Sequence, residues 1–334
     1  MGNLVRWAGL VTLLLAAAAC GGEQPAQRPA PTFTNPVLEG NFADPFILEA
    51  DGAWYAYATG DLVDNIQVAR SADLVHWTKL PDALPELPGW GPGSKGLTWA
   101  PEVAKTTAGF VMYYTGRAAE QGRQCVSVAV AERPDGPFTD ASDEPLVCQT
   151  TLGGSIDPHR FDDPGGQAWL LWKNDGNAIG EPADLWAQRL GADGRSVTGS
   201  PRRLGLRNDQ PWEGDLIEAP TVVHEGSTYY LLYSANAYDT GRYAVGYATA
   251  PALLGPWAKS PGNPVLSSAG RAAGPGGQAV VKVRGDWWLA YHAWDSELVG
   301  DANGGQRSLW LDRLELTAGK LTVTGPTDQP QGAP

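Results

Sequence analysis

The sequence predicts an all-β fold, a five-bladed β-propeller with four antiparallel strands in each blade. Three observations predict it. The 334 residues include 42 Gly, 27 Pro and 14 Trp, a composition of many turns and packed aromatics that leaves little room for long helices. Five segments share one plan, in which a Pro- or Gly-marked start leads through an apolar strand and a polar turn to an aromatic-rich strand. They recur at a period of roughly 55–60 residues, which suits one blade per repeat better than the short, even spacing of a sandwich.

In chain order, residues 1–20 read as a lipoprotein-type signal peptide. Arg6 supplies the positive charge, and Trp7 to Ala19 is an apolar run too short for a convincing membrane span. Small residues, Ala17-Ala18-Ala19, lead directly into Cys20, which resembles the cysteine that bacterial lipoproteins lipidate. Ala17 stands where leucine is more usual, so an ordinary secretory signal is the alternative. Residues 21–32 form a Pro-rich tether. The expected location is the bacterial cell surface, anchored at Cys20, or the medium. An oxidising compartment permits Cys125 and Cys148, each assigned to a strand of the second repeat, to form a disulfide; two buried thiols are the alternative.

The propeller is assigned to 33–325 and a disordered tail to 326–334. The five repeats are 43–59, 100–115, 156–172, 218–234 and 276–292. Their hairpin turns are Asp51-Gly52, Ala108-Gly109, Gly165-Gly166, Glu225-Gly226 and Arg284-Gly285, with glycine free to take φ > 0. Each is followed by a third strand, such as Ile66–Ser71 or Ala244–Thr249. A Trp- or Phe-bearing fourth follows, as in Gly136-Pro137-Phe138 and Gly255-Pro256-Trp257. A sheet this small cannot cover its own faces, so neighbouring blades must bury one another's aromatics. First strands then line a narrow channel and bring their starts together at one pole.

A net charge of −13 excludes a nucleic-acid partner, whose binding depends on neutralising phosphates, and is compatible with a neutral, polyhydroxylated one. The topology gathers Asp44, Glu102, Asp157, Glu218 and Gln278 around one pit, with Asp44, Asp157 and Glu218 at what read as equivalent points of the repeat. Clustered carboxylates repel, so the cluster needs a use. Glycoside hydrolysis supplies one: a protonated acid serves the leaving oxygen, an ionised one activates water, and a third carboxylate keeps the donor protonated.

Several frames carry a resemblance. Ala43-Asp44-Pro45, Trp99-Ala100-Pro101-Glu102, Ser155-Ile156-Asp157-Pro158, Glu218-Ala219-Pro220, Gly274-Pro275-Gly276-Gly277-Gln278 and Tyr291-His292-Ala293-Trp294 together resemble glycoside hydrolase family 43 over nearly all of 33–320. The resemblance implies a five-bladed, inverting enzyme acting on arabinose- and xylose-containing glycans. It implies Asp44 as general base, Glu218 as general acid, and Asp157 as the residue that modulates the acid's pKa and orients it. Inversion calls for base and acid carboxyls about 6.5–9.5 Å apart, whereas about 5 Å would indicate retention. Trp99, Gln278 and Arg307 are candidate substrate-binding residues, with core packing the alternative for Trp99 and a satisfied turn the reading for Glu102. His292 reads as a core histidine or as a neighbour of a metal, such as a structural Ca2+ in the central channel. No cofactor is required. Many relatives carry histidine where this chain has Gly277, which counts against the metal.

The function expected is release of L-arabinofuranosyl units from arabinan or arabino-oligosaccharides by a monomer that meets the membrane only through its lipid anchor. A β-xylosidase or endo-arabinanase is the alternative within the family. A non-catalytic carbohydrate-binding propeller lipoprotein is the alternative of another class, and the complete set of three acids argues against it. A sialidase would need repeated Ser-x-Asp-x-Gly-x-x-Trp boxes, and a fructosidase an Asn-Asp-Pro-Asn motif; neither is present.

Overall fold

The computed structural model describes residues 1–4, 31–91 and 93–334. Residues 5–20 of the expected signal peptide, with Cys20, and residues 21–30 of the tether lie outside the described residues. From Thr32 to Pro334 the chain is one compact unit.

Five antiparallel meanders follow the repeats. The first blade comprises Phe46–Ala50, Ala53–Thr59, Ile66–Ser71 and Trp77–Lys79. The second comprises Thr98–Thr106, Gly109–Ala118 and Arg123–Ala131. Its fourth strand is reduced to isolated bridges, Val126 to Val147 and Val130 to Thr139. The third comprises Ser155–Asp162, Ala168–Asn174, Leu185–Leu190 and Val197–Arg203. The fourth comprises Ile217–Glu225, Thr228–Ala235, Ala244–Ala250 and Ala258–Lys259. The fifth comprises Ala272–Val283, Asp286–Asp295, Ser308–Thr317 and Lys320–Thr324. The first strands touch one another in order and the fifth touches the first, which closes the ring.

The core is the set of gaps between blades. Phe42, Ile47 and Trp54 meet Val281, Trp288 and Leu311. Tyr55, Tyr57 and Val68 meet Val103, Phe110 and Met112. Tyr113 and Val126 pack on Leu170, Trp172 and Trp186. Successive residues of the strand Thr228–Ala235 face opposite ways: Leu231 and Tyr233 join the third blade, while Tyr230 and Leu232 join the fifth. Both faces are therefore apolar. Each such side chain contributes about 1.5–3 kcal/mol on burial.

Two expectations are corrected. Residues 326–334 are not a disordered tail: Gln331–Gly332 pairs with Thr32–Phe33, tying the two ends of the ring. The polar tail finds a buried partner there, since Gln331 Nε2 donates to Asp312 Oδ1 at 2.8 Å and Asn35 Nδ2 donates to Leu311 O at 2.9 Å. Cys148 lies beside the Val147 bridge rather than in a strand, and it is bonded to Cys125 with the Cα atoms 4.7 Å apart.

Candidate active site

At the start of each blade one residue takes the left-handed conformation: Asp44 (φ 50°), Ala100 (φ 44°), Asp157 (φ 56°), Ala219 (φ 51°) and Gly277 (φ 57°). Four of these are not glycine, at a cost of roughly 1–3 kcal/mol each, so the surroundings must enforce the conformation. In blades two to five the sheet register shifts at this point, a bulge that turns the N–H out of the ladder.

A side chain from the second strand of the preceding blade receives that N–H in four of five cases. Thr59 Oγ1 accepts from Ala100 at 3.0 Å, and Thr115 Oγ1 from Asp157 at 3.1 Å. Ser234 Oγ accepts from Gly277 at 3.0 Å, and His292 Nδ1 from Asp44 at 3.0 Å. These acceptors sit at one position of the repeat, near or at the end of the second strand. The exception is the third blade, which has Lys173 there; Asp157 Oδ2 accepts the Ala219 N–H at 3.0 Å instead.

This frame corrects the equivalence of the three acids. Asp44 and Asp157 are true counterparts. Glu218 is one residue earlier in its blade, paired across the ladder with Ser234 as Trp99 is with Thr115 and Ile156 with Lys173. All three acids nonetheless line one cavity of about 620 Å³, together with Trp99, Glu102, Gln278 and Arg307.

Each acid has a distinct environment. Burial alone would raise the Asp44 carboxyl, but the Arg307 guanidinium and the Thr59 hydroxyl outweigh it and hold the group well below the usual carboxylate range. Thr59 Oγ1 donates to Asp44 Oδ2 at 2.5 Å, and Arg307 Nη1 stands 3.6 Å from Oδ1. Asp157 is pushed the other way. Burial and the neighbouring Glu218 carboxylate drive it well above the usual range, despite Lys173. Glu218 is gripped at both oxygens, by Tyr243 OH at 2.8 Å and by Lys173 Nζ at 3.0 Å. Burial and Glu218 push the Tyr243 phenol well up, so it remains a donor. Asp157 is therefore the carboxyl that these surroundings favour in its protonated form, beside Glu218.

The other expected residues divide. Arg307 lies against the rings of Tyr238 and Trp294, 4.8 and 5.6 Å from their centroids, and aims at Asp44. Trp99 is half-buried and donates to Gly96 O at 3.3 Å. Gln278 spends both ends of its amide on protein atoms, Ala219 O at 2.7 Å and Ser234 Oγ at 2.7 Å. Glu102 accepts from Arg160 N at 2.8 Å and meets His159 Nδ1 at 2.7 Å; His159 Nε2 in turn accepts from Val222 N at 2.9 Å. It braces blades two, three and four.

His292 is wholly buried behind Asp44, and burial lowers its pKa. Because Nδ1 accepts a hydrogen bond, the proton of the neutral ring is on Nε2, which has no partner among the described residues. A protonated nitrogen offers no lone pair to a cation. Among the described residues no group of three His, Cys, Asp or Glu side chains is arranged to hold a metal ion. A Cβ at Gly277 would stand 2.5 Å from Asp44 Oδ1 and 2.7 Å from the His292 ring, so no side chain fits there. The imidazole accepts the Asp44 N–H and so positions Asp44.

Sequence reasoning missed Lys173 and Tyr243. The signal for Lys173 was available, because it replaces the hydroxyl or imidazole that this position carries in the other four repeats. Tyr243 reads as one more aromatic before a strand and has no such signal.

Comparison with known proteins agrees with this architecture. A family model described as "Glycosyl hydrolases family 43" matches residues 33–321. The chain is 25% identical over 276 residues to an extracellular endo-α-(1→5)-L-arabinanase of Bacillus subtilis, covering 76% of this chain and 80% of that protein. It is 27% identical to a β-xylosidase of Bacillus subtilis, covering 78% of this chain but 49% of that longer protein. A crystal structure described as a thermostable family-43 glycoside hydrolase superposes with a TM-score of 0.81 at 31% identity, covering 90% of this chain and 99% of the other.

Proposed function

Because this chain belongs to glycosyl hydrolases family 43, we propose that it is an inverting glycosidase releasing L-arabinofuranosyl units from arabinan or arabino-oligosaccharides. The observation that carries the reading is one cavity holding a carboxylate kept ionised, Asp44, and across from it a carboxyl pushed toward its protonated form, Asp157, beside Glu218. That asymmetry is what acid and base roles require.

Asp44 takes a proton from the attacking water, and its partners Arg307 and Thr59 keep it charged and aimed. Glu218 gives its proton to the glycosidic oxygen as the C–O bond breaks. The Ala219 N–H donates to Asp157 Oδ2, which fixes Asp157 against the residue next to Glu218. Water's oxygen ends on the anomeric carbon, its protons on Asp44 and the new hydroxyl.

The arabinan preference is supported by Gly274-Pro275-Gly276-Gly277-Gln278, by Tyr291-His292-Ala293-Trp294, by Arg123-Gln124-Cys125, and by the arabinanase relative that the chain spans for most of its length. The β-xylosidase relative supports a second reading, since the two pentoses share much hydroxyl stereochemistry. Export is supported by the extracellular relative and by residues 1–20, and a lipid anchor by Cys20.

The test is turnover of linear arabinan, an aryl α-L-arabinofuranoside and an aryl β-D-xyloside, with proton NMR of the first-formed anomer. Inversion with preference for the arabinofuranosides is expected. Retention overturns the mechanism, and no turnover of any pentoside favours the non-catalytic sugar-binding module.

A further inference from the structure

The ring of acceptors has one odd member. Thr59, Thr115, Ser234 and His292 each accept the N–H of the next blade's left-handed residue. Lys173 offers three donors and no acceptor, so it cannot do this. Its Nζ lies 3.0 Å from Glu218 Oε2 and 3.5 Å from Asp175 Oδ1, and its side chain is wholly buried. An ammonium withdrawn from water costs several kcal/mol unless well paired. Ring closure alone would be met by the hydroxyl found at the same position in blades one, two and four.

We propose that Lys173 is a positioning residue for the reaction: it fixes the Glu218 carboxyl against Tyr243 and receives the negative charge that forms there as the proton leaves for the glycosidic oxygen. This rests on the reading of Glu218 as the acid. The groups facing Glu218 come from every side of the pit. Lys173, Asp175 and Asp157 belong to the third blade, Tyr243 to the fourth, Asp44 to the first, and His292 and Arg307 to the fifth. Asp157 and Asp44 repel charge on Glu218; Lys173 is the cation in direct contact and attracts it. Burial alone would discharge Lys173, but Glu218, Asp175 and Asp157 more than compensate, so the ammonium persists. When Glu218 gives up its proton, the new carboxylate finds an ammonium and a phenol already in place, and no dipoles need reorganise. The same cation favours the ionised acid in the free enzyme, so it draws the loss of activity at alkaline pH toward neutrality.

The test uses Lys173→Met, which keeps the shape without the charge, and Lys173→Thr, which restores the acceptor of blades one and two. Both should move the alkaline limb of the kcat/KM–pH profile upward by about one unit or more. At neutral pH both should lose more kcat on arabino-oligosaccharide than on an aryl glycoside, whose leaving group needs little protonation. Lys173→Arg should keep the limb near its original position. An unmoved limb with uniform losses on both substrates overturns the proposal and leaves Lys173 a packing residue. Should neither variant fold, NMR of the Lys173 ammonium in the unaltered protein decides. A shift that tracks the alkaline limb supports the assignment, and one that ignores it refutes it. Failure of the Glu218 reading shows separately, as equal loss on both substrates in Glu218→Gln.

Discussion

Arg307→Met tests what keeps Asp44 ionised. The guanidinium lies 3.6 Å from Asp44 Oδ1, with the two side chains 11% and 22% exposed. At that distance the attraction is about 4–5 kcal/mol for an effective dielectric of 20 and about 1 kcal/mol in water. The pair lies at the edge of a solvent-filled cavity, between those limits, so removing the charge should raise the Asp44 pKa by about 1–3 units. The sign follows from the role proposed for Asp44. A base must be ionised, so activity is expected above its pKa and is lost as the pH falls through it. Its depressed pKa puts that limb far into the acid in the unaltered protein, and the substitution brings it toward the measurable range. The assay is kcat/KM for an aryl pentoside across the acid range, because kcat/KM reports the free enzyme. Circular dichroism at each pH separates titration from unfolding. A uniform loss of kcat/KM with no movement of the acid limb would refute the electrostatic argument and assign Arg307 to substrate contact alone.

Other substitutions probe the remaining groups. Glu218→Gln should abolish turnover of natural glycosides yet retain more on aryl glycosides; Asp44→Asn should be inactive on both, as steady-state rates will show. Gly277→Ala places a Cβ 2.5 Å from Asp44 Oδ1 at φ +57°, and kcat should fall steeply while thermal unfolding shows the ring still folded. Cys148→Ser opens a disulfide of sequence separation 23, which should cost about 3 kcal/mol of stability by denaturant titration.

Much of this molecule was legible in its sequence because the repeat is visible at two scales. The period gave the blades, and the aromatic second strands gave the gaps they fill, since residues such as Tyr230 and Leu231 must face different neighbours. The acids stood out by their Pro-flanked frames. Register did not. Glu218 precedes its left-handed residue while Asp44 and Asp157 are theirs, a one-residue difference that only ladder pairing reveals. His292 was ambiguous because a buried imidazole looks the same in a sequence whether it accepts an N–H or binds a cation. The C-terminal residues looked disordered by composition, yet Gln331 is held by Asp312, a partner no local pattern announces.

Asp44, the proposed base, is the first of the three acids to be synthesised, and it depends on the last blade. Asp44 gains His292 and Arg307 only when the fifth blade docks against the first, an event completed by the pairing of Thr32–Phe33 with Gln331–Gly332. A nascent or truncated chain thus carries all three carboxylates without a working site. Catalytic competence is a property of the closed circle, so activity should appear in refolding only with the final interface, and a protein clipped near either end should lose hydrolysis before it loses its sheets.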